Sequence, residues 1–210
     1  MMDIEFYGAN CITFTNKQVR LVVDDNLAVL GGKAITKEGD VALFTDGHGV
    51  PAVATKLILD SPGEYEVAGV SITGIPARAH LEEKAVKSAT VYKLLFDDIR
   101  VLVTGHIYPE LSESQLETIG AVDVMIVPVG GNGYTLDPSG ALQLMKKIEP
   151  KVVIFTHYAD SSLAFEVPQQ SLDEAIKVIS LEPSQTTKKL KVRAGDFADS
   201  TTEVIVLEKS

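Results

Sequence analysis

Five side chains able to bind a metal ion or move a proton are scattered through loop positions of a 210-residue chain: Asp46, His48, His80, His106 and His157. They include all four histidines of the sequence. Three of these follow stretches that read as β-strands: His48 after residues 41–45, His106 after residues 99–104 and His157 after residues 152–155. Loops at strand ends are where a rigid α/β scaffold carries its chemistry. His80 comes five residues after a predicted strand ending at Ile75 and can reach the same region. Asp46 and His48 form an Asp-x-His pair, and in an extended loop residues two apart point the same way, so both can approach one ion. Neutral imidazole and carboxylate are the donors a zinc site uses. A single loop histidine usually makes an ordinary hydrogen bond, so the shared strand-end placement is what singles out this set. With one cysteine, Cys11, the chain has no internal disulfide and no cysteine-rich zinc knuckle, so any metal must be held by His and carboxylate.

The elements that must position these residues are legible in the apolar pattern. Residues 4–7, 11–15 and 19–23 alternate as strands of a hairpin-rich opening, and residues 41–45, 57–59, 70–75, 90–96 and 99–104 follow. Asp97-Asp98 is a hairpin turn joining the last two. Ser112 with Gln115 forms a capping box ahead of Leu116 and Ile119, and Gly120 stands where a left-handed C-terminal residue is needed. Asp137 caps a second helix with Pro138 in its first turn, and Pro150 stops it. Each helix leads into a nearly all-apolar run, residues 122–129 and 152–155, as expected of β-α-β units whose strands are buried on both faces. Residues 168–179 read as a third amphipathic helix, and residues 189–192 and 203–207 as a closing strand pair.

Composition bounds the function. The content of apolar residues, 45%, suits a single globular α/β domain over residues 1–210. A formal charge of −10 opposes the polyphosphate surface of nucleic acid, and the one basic cluster, residues 188–193, is short. There is no basic start followed by an apolar run and no stretch of eighteen apolar residues. The expectation is a cytoplasmic chain with no membrane span, acting on a small molecule.

Several blocks of the sequence resemble the metallo-β-lactamase superfamily, in particular its small zinc-dependent hydrolases related to ascorbate-6-phosphate lactonase. They are Gly8-Ala9-Asn10-Cys11, Val22-Val23-Asp24, Pro62-Gly63-Glu64-Tyr65-Glu66-Val67, Gly74-Ile75-Pro76-Ala77 and Val127-Pro128-Val129-Gly130-Gly131. The most specific block is Tyr134-Thr135-Leu136-Asp137-Pro138, followed by Pro150-Lys151-Val152-Val153-Ile154 and His157-Tyr158. The resemblance implies a four-layer αββα sandwich with a metal site at one edge. It also implies departures: the family's T-H-x-H-x-D-H motif is Thr45-Asp46-Gly47-His48-Gly49-Val50-Pro51 here, so Asp46 replaces one histidine, and Val50 and Pro51 replace the Asp and His that hold a second ion. His80 matches the isolated histidine of the first metal, Gly105-His106 replaces the Gly-Asp whose carboxylate bridges both ions, and His157 matches the last histidine.

The resemblance thus implies a first metal position of Asp46, His48, His80 and His106, and no stable second one. The expected cofactor is one zinc ion or none, with iron or manganese as lesser alternatives. His106 decides the chemistry: four protein donors complete a structural tetrahedron, whereas three leave an open position for hydrolysis, with His157 as proton donor or oxyanion partner. Glu64, Tyr65 and Tyr134 are candidates for lining a substrate cleft. Asp24 reads as a buried acid that positions loops, and Cys11 as a core residue. The expected function is a metal-dependent hydrolase of a small ester, lactone or phosphoester. Its rival is a catalytically inactive member that keeps the sandwich as a ligand-binding or interaction module.

Overall fold

A computed structural model of the chain describes residues 1–47, 49–82, 88–197 and 201–210. In chain order the strands are β1 (Met2–Gly8), β2 (Cys11–Thr15), β3 (Arg20–Val23), β4 (Val41–Leu43), β5 (Leu57–Leu59), β6 (Gly63–Val67), β7 (Val70–Ala77), β8 (Ala89–Phe96) and β9 (Ile99–Val103). Then come α1 (Glu113–Ile119), β10 (Val124–Pro128), α2 (Pro138–Ile148), β11 (Val152–Thr156), α3 (Leu172–Ile179), β12 (Pro183–Thr187), β13 (Lys189–Val192) and β14 (Glu203–Leu207). They form two sheets, one of order β13-β1-β2-β3-β4-β5 and one of order β12-β14-β11-β10-β9-β8-β7-β6.

The sandwich arises from which residues need two apolar faces. β10 and β11 are buried at every position, and they lie in parallel register at the centre of the larger sheet, with β9 beside β10. One side of that sheet packs on the smaller sheet through Phe14, Leu21, Tyr92, Val101, Ile126 and Ile154. Its other side takes α1, α2 and α3 over Leu102, Met125, Val127 and Val153. The outer layer over the smaller sheet is built from loop, where Leu27 and Leu163 cover Cys11 and Val22. The αββα expectation therefore holds as a two-sheet sandwich with its helices on the larger sheet.

Caps act as the sequence indicates. Ser112 and Gln115 complete the capping box of α1 and Asp137 Oδ1 accepts the Gly140 N–H at the start of α2, while Gly120 ends α1 at φ 60° and ψ −148°, outside the left-handed helical region expected for it. Three readings change. The third helix begins at Leu172, not Pro168, because Ser171 and Glu174 form a second capping box. The two closing strands do not pair: β13 joins β1 in the smaller sheet, while β14 lies between β11 and β12 in the larger one. β6 and β12 are strands the apolar pattern misses, since both are mostly polar edge strands.

Candidate functional site

The C-terminal ends of β7, β9, β10 and β11 lie at one edge of the larger sheet, because β7 runs antiparallel to β8, β8 antiparallel to β9, and β9, β10 and β11 parallel to one another. His80, His106, Tyr134 and His157 all stand beyond those ends. The smaller sheet brings its own loop to the same edge: the carbonyl of Thr45, two residues after β4, accepts the Thr90 N–H at 2.8 Å. Asp24 fixes that loop, since its carboxyl accepts both the N–H and the hydroxyl of Thr45, each at 2.7 Å. Burial pushes the Asp24 carboxyl up to about 7, against the pull of those two hydrogen bonds. It is the positioning acid its strand-end place predicts.

Two adjoining cavities open between the loops, one of about 410 Å³ and one of about 200 Å³. Asp46, His106 and Tyr134 line both; His157 lines the larger and His80 the smaller. The His106 ring meets His157 edge-on at 4.5 Å between centroids and Tyr134 at 5.3 Å, while Tyr134 stacks on His157 at 5.8 Å and 22°. His80 is tied in through its backbone N–H, which donates to the His106 carbonyl at 2.8 Å.

Backbone conformation places two of these rings. Gly105 has φ 63°, and a Cβ there would overlap the Thr45 side chain, so the turn carrying His106 requires glycine on both counts. His157 is itself left-handed, φ 51°, with its N–H donating to the Ala9 carbonyl at 2.7 Å. Its Nδ1 lies 3.2 Å from Gln169 Oε1. Because the Gln169 amide Nε2 donates to the Val167 carbonyl, the oxygen faces the ring, so Nδ1 carries the proton and Nε2 the lone pair. Burial holds the His157 imidazole at about 4, even though its hydrogen bonds favour the charged form. Burial, with His157 and His80 alongside, likewise holds His106 well below the usual range. Both rings are neutral at physiological pH.

Metal fit rests on two atoms. Among the described residues the Nδ1 atoms of His80 and His106 are buried without a hydrogen-bond partner, unlike the great majority of buried polar atoms. Among the described residues, however, no three His, Cys, Asp or Glu side chains are grouped so as to hold an ion. His48, expected as a donor, lies outside the described residues. Val50 is strongly exposed and, like Pro51, offers no side-chain donor for a second ion.

Glu64 and Tyr65 are not brought to this site. They stand on the edge strand β6, the Tyr65 hydroxyl donates to the Ser61 carbonyl at 3.2 Å, and neither residue lines the two cavities. Sequence reasoning also misses four residues that do line the larger cavity: Asn10, Phe165, Glu166 and Gln169. The last three lie on the irregular segment between β11 and α3, which has no periodicity to mark it. Cys11 is fully buried and its thiol is pushed up by burial and by Asp25 and Asp24, as befits a core residue.

This arrangement of two sheets with a histidine-bearing edge is that of a known class. A family model for the β-lactamase superfamily domain matches residues 3–157, and the chain belongs to that superfamily. A curated relative, a UPF0173 metal-dependent hydrolase from Archaeoglobus fulgidus, is 27% identical over 139 residues. That match spans 59% of this chain and 59% of the relative's length. Among solved structures, a metallo-β-lactamase-superfamily protein of Thermotoga maritima, provisionally assigned as a Zn-dependent hydrolase, superposes with a TM-score of 0.75 at 23% identity, covering 99% of this chain and all of the other. A provisionally assigned metal-dependent hydrolase from Parabacteroides distasonis gives 0.68 at 17% identity, covering 100% and 94%. At these identities the structures speak for the fold. Among the described residues no helix is long and apolar enough to cross a membrane.

Proposed function

We propose that the chain is a metal-dependent hydrolase of a small ester, lactone or phosphoester, using at most one ion, preferably zinc, held by donors drawn from Asp46, His48, His80 and His106. The observation that carries this reading is the pair of orphaned nitrogens, Nδ1 of His80 and Nδ1 of His106, on residues that line the smaller cavity together with Asp46. Coordination to a metal ion is one way such a buried lone pair is satisfied. The names of the Archaeoglobus relative and the Thermotoga structure support the same reading. When bound, the ion would lower the pKa of a water molecule and polarise the substrate oxygen.

The chain's own residues supply the rest. His106 is held neutral and keeps a lone pair for coordination. His157, with Nδ1 committed to Gln169, would use Nε2 to accept a proton from the attacking water and return it to the leaving oxygen. Tyr134, packed against both rings, closes the wall between the cavities. The test is metal analysis of protein purified without added metal, beside His48→Ala. One ion per chain, lost in the variant, supports the proposal; no ion in either removes it.

A second reading is a catalytically inactive ligand-binding or interaction module. What favours it is Val50 and Pro51 at positions of lost donors, together with His106 in place of a bridging acid. A non-metal ligand found in the cavity, with no turnover of generic esters or phosphodiesters, selects this reading.

A further inference from the structure

An open sheet ends in two edge strands, and each is a template for another strand unless something blocks it. Here the edges are β13 and β5 in the smaller sheet and β12 and β6 in the larger one. Three of them oppose pairing with a copy of themselves. An antiparallel pair of β6 strands about Tyr65 sets Glu64 opposite Glu66, and one of β13 strands about Leu190 sets Lys189 opposite Lys191. Strand β12 begins with proline and otherwise offers only Ser, Gln and Thr for packing.

None of these obstacles stands on β5. Its sequence, Leu57-Ile58-Leu59, is wholly apolar, and Ile58 is 45% exposed. On the inner side the Leu59 carbonyl accepts the Phe44 N–H at 2.8 Å. Neighbouring residues of a strand turn their amide groups to opposite sides, so the N–H and C=O of Ile58 face away from β4. Among the described residues no strand meets them there. Two-fold antiparallel pairing about Ile58 therefore makes two reciprocal hydrogen bonds.

The flanking residues fit the same axis. Leu57 falls opposite Leu59, at a point where Leu57 is only partly buried against the core between the sheets. Lys56 falls opposite Asp60, once on each side of the axis. Both are exposed, and both alternate onto the face of Ile58. Among the described residues neither has an ion-pair partner within its own chain. Moving the axis to Lys56 or to Asp60 brings like charges together, so the charges select one register. Val50 and Val53, exposed on the connection from β4 to β5, add apolar surface beside the strand.

We propose that the outer edge of β5 is an interface with a second copy of this chain, the two strands pairing antiparallel about Ile58 and joining both smaller sheets into one. Self-complementarity in charge, hydrogen bonding and apolar contact is what a two-fold interface requires. The ladder is short, so the dimer is weak and dissociates in the micromolar range.

The experiment is sedimentation velocity of the full chain across that range, beside Lys56→Glu, Asp60→Lys, the double variant carrying both changes, and Ile58→Pro. Circular dichroism checks that each is folded. Expected is a concentration-dependent dimer in the wild type, weakened about tenfold or more by either charge reversal and restored in the double variant, where the pair stands exchanged. Ile58→Pro removes an outward N–H and leaves the bonds to β4 in place, so it should stay folded and monomeric. The mass of a single chain at every concentration overturns the proposal. So does a dimer that ignores the charge reversals, or one that the exchanged pair fails to restore. The charge series decides the matter even if Ile58→Pro does not fold.

Discussion

His157 and His106 face each other 4.5 Å apart, yet their surroundings differ in kind. At His157 the backbone N–H and ring Nδ1 are both engaged, by Ala9 and Gln169. At His106 the carbonyl is used, by the His80 N–H, while among the described residues Nδ1 is buried without a partner, as is that of His80. Among the described residues, one end of the site has its ring nitrogen engaged by the protein and the other does not. A self-satisfied ring suits proton handling and positioning, whereas orphaned ring nitrogens suit coordination. Substitutions at the two ends should therefore fail in different ways.

The largest expected effect sharpens that division. His106→Ala and His48→Ala should each cost about 100-fold or more in metal affinity, and hydrolysis should fall with it. His157→Asn should retain the ion and lose activity through kcat, by roughly 100-fold, if its Nε2 moves the proton. Metal content by mass spectrometry beside ester turnover separates the cases. Loss of metal in His157→Asn, with retention in His106→Ala, would reverse the assignment of the two ends.

Next in size is the turn that aims His106. Gly105→Ala forces a left-handed Ala and drives a Cβ into Thr45, whose N–H and hydroxyl hold Asp24. Destabilisation of about 3 kcal/mol is expected in urea titration, with reduced metal binding in the folded fraction. A smaller penalty, under about 1 kcal/mol, would mean that this turn is not what holds the coordinating end.

Legibility in the sequence depends on whether a residue's signal is local. Strands such as β2 and β8, and the caps of α1 and α2, show in the spacing of apolar residues and in single capping side chains. Partner choice does not: residues 189–192 and 203–207 both read as strands, but which sheet each joins depends on β1 and on β11, far off in sequence. Edge strand β12, Pro-Ser-Gln-Thr-Thr, has too few apolar residues to declare itself. Strand-end histidines are visible because histidine is rare in this chain and stands just beyond apolar runs. Asn10 and Gln169 are not, since an amide in a loop looks the same whether it holds an imidazole ring or faces water. Glu64 and Tyr65 show the converse, because their block of sequence suggests a cleft and the fold puts them on an outer strand.

Two buried groups of opposite sign give a smaller and more specific test, made on metal-free protein. His157 sits at about 4 when folded, against 6.5 for a free imidazole. Below pH 6.5 the unfolded chain therefore takes up a proton that the folded chain refuses, and about 3 kcal/mol of stability is lost as pH falls to 4. Asp24 runs the other way: its carboxyl, raised from 3.8 to about 7, keeps a proton that the unfolded chain releases. Its contribution is full below pH 3.8 and lost as pH rises through 7. Across pH 4 to 6.5 the Asp24 slope opposes that of His157, but His106, also held below the usual range, adds to the loss, so the wild type still loses stability toward acid. Asp24→Asn should steepen the loss toward acid, and His157→Asn, which suits the left-handed backbone, should reduce it. Parallel pH profiles in all three proteins would show that neither group is buried as described.

The smallest effect concerns the segment that carries Phe165 and Glu166. Its start is tied to the C-terminus by Lys209, whose Nζ lies 2.7 Å from Asp160 Oδ2, while Ser210 donates its N–H to the Phe6 carbonyl. The ion pair is partly exposed, so Lys209→Ala should cost only about 0.5 kcal/mol of global stability. Its local consequence should be larger than its global one, because the pair restrains a loop rather than a sheet. Amide exchange should quicken between residues 160 and 167 and stay unchanged in β10 and β11, which have no share in the restraint. Faster exchange throughout the larger sheet would instead make the C-terminal strap part of the core. The wall of the cavity would then be as fixed as the strand ends that carry His106 and His157.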